Sequence, residues 1–152
     1  MGTIVRSWNL FHGKADPPRR RGYLREMVRR ASADEPGVLC LQEVPVWALP
    51  RLDDWSRMQV RAVVTRLPLG PSALTGRVTR QHQGLLRSAL AGQANAVLVS
   101  PAHEVEDLGH RRISDRGRER RLVQGVRVTG LGVVANLHAT NDFEDPRVPA
   151  AE

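Results

Sequence analysis

Cysteine occurs once in the 152 residues, at position 40, which excludes an internal disulfide and any thiolate metal cluster. Flanked by Leu39 and Leu41, that thiol reads as a small buried hydrophobe rather than a nucleophile. Aromatic residues are scarce: three Trp, two Phe and one Tyr make a poor platform for stacking bases. Lysine is almost missing, since Lys14 is the single lysine among 23 basic residues. No apolar run approaches the ~18 residues of a membrane span, and the longest, residues 130–137, is strand-sized. The N-terminus lacks a basic segment, a long apolar stretch and a small-residue cleavage site. It therefore reads as a first strand with no secretory signal, and the expected compartment is the cytoplasm.

What is present fits one domain or part of one. A hydrophobic share of 41% over 152 residues is enough for a real core. The formal charge of +7 favours an anionic partner. Yet arginine used almost to the exclusion of lysine, beside abundant Ala, Gly, Pro and Val, equally reflects a GC-rich coding sequence. The run Arg19-Arg20-Arg21 and the group Arg111, Arg112, Arg116, Arg118, Arg120 and Arg121 read first as solvated faces and second as phosphate contacts. Arg121 is the best candidate for such a contact because it begins a strand.

Residues 4–8 form a strand pattern that ends in a turn at Gly13. Asp16-Pro17 supplies an N-cap and first turn. Leu24, Met27, Val28 and Ala31 then fall on one helical face, and Pro36-Gly37 closes the helix. Residues 38–41 are apolar on both faces, as a strand covered from both sides would be. Together these make a β-α-β unit. Beyond it, residues 58–65 alternate as a half-buried strand, 67–80 read as loop, and 83–91 as a short helix. Residues 95–100 and 105–109 are further strands, followed by a charged connection over 109–120. Residues 122–128 alternate and pair with 130–137 as a hairpin across Thr129-Gly130, and the tail from 140 is polar. Trp47 and Trp55 are expected to cover the core. His12, His82, His103 and His110 show no metal-ligand spacing.

Chemistry-bearing residues sit where strands end. Two strands joined by a helical crossover run parallel, so Asn9 and Glu43 close them on one sheet edge, where ligand sites tend to form. An amide and a carboxylate offer the oxygens a hard cation prefers, and Mg²⁺ takes only one or two carboxylates. His138 closes the last strand. Each also has a plainer reading: a turn Asn, a first solvated Glu, a satisfied structural His.

In combination these residues resemble the endonuclease/exonuclease/phosphatase (DNase-like) family. Ser7-Trp8-Asn9-Leu10 with His12-Gly13 is similar to its first-strand motif, and Leu39-Cys40-Leu41-Gln42-Glu43-Val44 to its L-Q-E-V motif. Asn95-Ala96-Val97-Leu98-Val99-Ser100 is similar to its G-N-A-x-L-S strand, and Ala135-Asn136-Leu137-His138-Ala139-Thr140 to its N-x-H strand. Here Gly92 is separated from Asn95 by Gln93-Ala94, whereas the family has Gly directly before the Asn. The resemblance implies an α+β fold: part of a four-layer αββα sandwich, with a β-α-β start followed by mainly antiparallel strands. Residues 1–152 would be the N-terminal portion of one such domain. The C-terminal portion, with its G-D-x-N motif and Asp-His pair, is absent, and Asn141-Asp142-Phe143 reads as loop.

The resemblance also implies roles. Glu43 would bind Mg²⁺ (or Mn²⁺), with Asn9 as a further ligand or as the residue orienting that carboxylate or the attacking water. His138 would stabilise phosphoryl oxygens or protonate the leaving group, and Asn95 and Arg121 would lie near the substrate phosphate. The function implied is metal-dependent phosphoester hydrolysis, on nucleic acid or another phosphoester. The residues that activate water are missing, so little activity is expected from the chain alone. Alternatives are a non-catalytic binding subunit or degenerate relative completed by a second chain, and a basic nucleic-acid-binding module. Residues 38–41 have a second apolar face, and with half the domain absent that face is expected to lie bare.

Overall fold

The structure, a computed structural model, describes residues 3–14, 23–69, 90–114 and 121–138. It begins with β1 (Val5–Asn9), a short 3-10 turn at Phe11–Gly13, α1 (Tyr23–Ser32) and β2 (Val38–Val44). A 3-10 segment, Val46–Arg51, leads into α2 (Leu52–Ser56), then β3 (Gln59–Arg66) and β4 (Gln93–Val99). The last described elements are β5 (Val105–Ser114), β6 (Arg121–Val128) and β7 (Gly132–Leu137).

The first sheet has the order β1-β2-β4-β3, with β1 and β2 parallel and the other pairs antiparallel. β5, β6 and β7 form a second, antiparallel sheet. Alternation along β2 sends Leu39 and Leu41 to one face and Val38 and Cys40 to the other. The first pair packs with Leu24, Val28 and Ala31 of α1, Leu52 of α2, and Ala96 and Leu98 of β4. The second pair packs with Val97 and Val99 of β4 and Val126 and Val128 of β6. The layers are therefore helix, sheet, sheet, three of the four expected for an αββα sandwich, and no described helix crosses the far side of the second sheet.

This corrects one expectation. The second face of β2 is not bare, because three strands of the second sheet come from this chain. Among the described residues, some apolar side chains are exposed one layer further out, where Leu108, Val133 and Leu137 are 42%, 63% and 45% exposed. The second sheet also uses residues that read as a charged connection, since β5 continues through Gly109 to Ser114. A shift of register between Asp107 and His110 absorbs the glycine, which has φ +77°, so a bulge hid the strand from its alternation pattern. The helix start at Asp16-Pro17, most of the 83–91 helix and the polar tail lie outside the described residues.

α1 is tied down at its end. Ser32 Oγ donates to the Val28 carbonyl at 3.0 Å. Arg6 of β1 donates to the Ala31 carbonyl and, through both terminal nitrogens, to Asp34 at 2.7 Å. Trp47 and Trp55 meet edge to face at 6.4 Å over the helix-side core. No helix among the described residues is long and apolar enough to cross a membrane.

Two outcomes follow from this layering. Leu39→Ala should cost about 2–5 kcal/mol in a denaturant melt, whereas Val133→Ser should stay within about 0.5 kcal/mol; equal costs would contradict the layer assignment. Burial pushes the Cys40 thiol up to about 11, so at pH 8 the folded chain should react with a thiol reagent far more slowly than the unfolded chain.

Candidate functional site

The space between the sheets changes character along its length. At one end it is lined by Val38, Cys40, Val97, Val99, Val126 and Val128. At the other, the same strands contribute Gln42, Gln93, Asn95 and Gln124, and β7 adds Asn136, all buried. Buried amides need partners, and Asn136 is well supplied. Its Nδ2 donates to the carbonyls of Leu41 at 3.1 Å and Ala96 at 3.0 Å, and its Oδ1 accepts from Gln42 at 2.7 Å. Gln42 also donates to Ser7 Oγ at 3.0 Å. One side chain of the second sheet thus grips β2 and β4 of the first, and His138, two residues on, is carried to the rim.

Glu43 reaches the rim by a local irregularity. Leu39, Leu41 and Val44 all pack on the helix side, a spacing of two and then three. The register between β2 and β4 shifts between Leu41 and Val44, and Glu43 has φ +53°. A bulge re-aims a side chain at some backbone cost. Here it turns Glu43 out of the alternation and toward β1. Phe11 and His12, in the loop after Asn9, also have positive φ (45° and 54°).

Three predicted residues meet there. Asn9 Nδ2 donates to Glu43 Oε1 at 3.0 Å. His138 Nε2 lies 3.4 Å from the same oxygen and 3.4 Å from Asn9 Nδ2. Asn9 Oδ1 accepts from the Phe11 amide at 2.9 Å, which fixes the loop and aims the amide nitrogen at Glu43. In this geometry Asn9 orients the carboxylate. His12 Nε2 stands 3.7 Å from Glu43 Oε2, a position its spacing did not reveal.

The two remaining candidates lie behind this cluster. Arg121 Nη1 is 3.4 Å from His138 Nδ1 and 3.4 Å from the His138 carbonyl oxygen. Asn95 is 1% exposed between the sheets, and its side-chain amide has no hydrogen-bond partner among the described residues. Gln93, which had no predicted role, places Nε2 3.3 Å from His138 Nδ1. Just before it, Gly92 enters β4 with φ +64°, passing so near the 66–68 backbone that a Cβ would lie 2.7 Å from Arg66 O and Pro68 N. His103 sits in the turn after β4, His110 lies on β5, and His82 is outside the described residues.

Among the described residues no three His, Cys, Asp or Glu side chains are grouped to hold a metal ion. What the rim offers is one oriented carboxylate whose side chain is 17% exposed. That fits a hard, hydrated cation taking one protein carboxylate and completing its shell with water and phosphate oxygens.

Two facing sheets, a helix layer on the first, and a polar rim where the parallel strands end make up an endonuclease/exonuclease/phosphatase-like fold. No family profile and no curated protein matches the sequence. Among solved structures, the chain is similar to an endonuclease/exonuclease/phosphatase from Beutenbergia cavernae, with a TM-score of 0.56 and 22% identity, covering 90% of this chain and 38% of that one. TDP2 from C. elegans gives 0.50 and 18%, covering 91% and 36%. The catalytic domain of human Nocturnin, which carries a bound sulfate anion, gives 0.50 and 16%, covering 90% and 50%. The chain thus spans half or less of the length of these structures, and at these identities the likeness is one of fold.

The inter-sheet amide grip predicts that Asn136→Ala will destabilise the chain by about 1–3 kcal/mol, because two carbonyls and the Gln42 amide lose a buried partner. A denaturant melt within about 0.5 kcal/mol of the parent would show that the grip contributes nothing.

Proposed function

We propose that the rim binds a divalent cation, Mg²⁺ or Mn²⁺, together with a phosphoester, and that it serves metal-dependent phosphoester hydrolysis. The supporting observation is the convergence of Asn9, Glu43 and His138 from the ends of β1, β2 and β7 within 3.0–3.4 Å. Glu43 supplies the anionic oxygen for the cation. Asn9 holds that carboxylate in place, as residues behind metal ligands do. His138 faces the same space and can hydrogen-bond a phosphoryl oxygen. When bound, the cation would polarise the phosphate and offset charge developing on its oxygens. Likeness of fold to an endonuclease/exonuclease/phosphatase protein supports the reaction class, and substrate choice among nucleic acid, lipid or inositol phosphates is left open by it.

The Asp-His pair that the family resemblance assigns to water activation has no match in the sequence, so this chain by itself binds more readily than it turns over. A second chain completing the domain belongs to the same proposal.

Titration with Mn²⁺, read by calorimetry, should show one binding event that Glu43→Gln removes and Asn9→Ala weakens about 10–100-fold. Affinity unchanged by Glu43→Gln would sink the assignment. Hydrolysis of bis(p-nitrophenyl) phosphate by the 152-residue chain should be slight. Robust Mg²⁺-dependent turnover, lost in Glu43→Ala, would place the base within the chain.

A further inference from the structure

The two nitrogens of His138 face different chemistry. Nε2 points to the rim, 3.4 Å from Glu43 Oε1 and 3.4 Å from Asn9 Nδ2; the Asn9 amide already donates to that carboxylate at 3.0 Å, and a carboxylate only accepts. Nδ1 points back between the sheets, where Arg121 Nη1 at 3.4 Å and Gln93 Nε2 at 3.3 Å approach it. An amide can be turned end for end, so Gln93 alone decides nothing. A guanidinium has only N–H groups to give and keeps its proton. In the neutral ring Nδ1 is therefore the bare, accepting nitrogen, and Gln93 takes the orientation that lets its NH₂ donate as well.

The geometry points to Arg121 and Gln93 as positioning residues that hold the neutral His138 ring in its Nε2–H form, making it a fixed hydrogen-bond donor to a phosphoryl oxygen at the rim. The functional half rests on the phosphoester reading; the tautomer itself does not. It concerns which nitrogen of the neutral ring carries the proton, not where the ring titrates. Two of the roles open to a rim histidine drop out. A ring already protonated at Nε2 cannot take a proton from water there. A neutral ring that gave up that proton to a leaving group would become an imidazolate beside Glu43. What remains is donation without transfer, the stabilising role that fixed donors play where negative charge gathers.

Arg121 suits this task better than a bare cation would. Its Nη1 reaches both the Nδ1 atom and the backbone carbonyl of His138, so ring and main chain are held from one side. Gln93 comes from the other sheet, on a strand whose entry is fixed by Gly92. The ring is clamped from both layers.

The test is ring ¹⁵N NMR on the full chain, with His138 assigned by His138→Gln and spectra taken at a pH where the ring is neutral. The parent should show a pyridine-type Nδ1 and a protonated Nε2. Arg121→Lys, which keeps a donor, should preserve that signature. Arg121→Met with Gln93→Glu, which sets a lone carboxylate against Nδ1, should move the proton to Nδ1. A parent ring protonated at Nδ1, or a signature unmoved in the double variant, would overturn the proposal. Inorganic phosphate titrated in the presence of Mg²⁺ separates this from the functional reading. The double variant should bind it about tenfold more weakly, the worth of one hydrogen bond to a charged group. A proton that moves with no change in phosphate affinity would uphold the tautomer lock and count against the phosphoester site.

Discussion

The structure depends on one buried amide. Asn136 joins the sheets by giving both hydrogens to carbonyls of β2 and β4 and accepting one from Gln42. Apolar layers can slide, because water exclusion has no direction. Hydrogen bonds cannot slide without being broken, and a broken one in the interior costs more than it ever contributed. Asn136 therefore fixes how far β7 stands along β2, and with it where His138 meets Glu43. The Val-rich end of the same layer supplies adhesion without fixing that register.

The rest of the site follows from strand ends brought to one level. Parallel pairing of Asn9 with Gln42 sets β1 beside the residue before Glu43, and the bulge turns Glu43 toward Asn9. Three of the five non-glycine residues with positive φ among the described residues, Phe11, His12 and Glu43, surround this point. Strained backbone gathered at one place is tolerated when the fold around it over-determines the geometry. Here the parallel pair, the inter-sheet amides and the Asn9–Phe11 turn do so together.

Much of this was legible in the sequence, for identifiable reasons. The apolar run at 38–41 announced a strand covered on both sides, and the crossover predicted the parallel pair with its shared edge. Asn9, Glu43 and His138 were legible because strand ends are where alternation stops and a polar residue stands out. The extension of β5 was not, because the bulge at Gly109 interrupts the period that marks a strand. His12 was missed because its closeness to Glu43 arises from two left-handed residues, which leave no trace in spacing. Gln93 was missed, and Asn136 was quoted only as part of the N-x-H motif with no role of its own, because an amide inside a strand looks like any other polar position until the facing sheet is known. The gap from Leu41 to Val44 was the one local clue that Glu43 is the extra residue of a bulge.

The split character of the inter-sheet layer gives the sandwich two kinds of cohesion with opposite thermal habits. The valine end holds by excluding water, a force that weakens on cooling. The amide end holds by directed bonds that do not share that weakness. Chilled, the chain should loosen from its base while the rim keeps its spacing. The lips of the site would then be the last part of the sandwich to part in the cold.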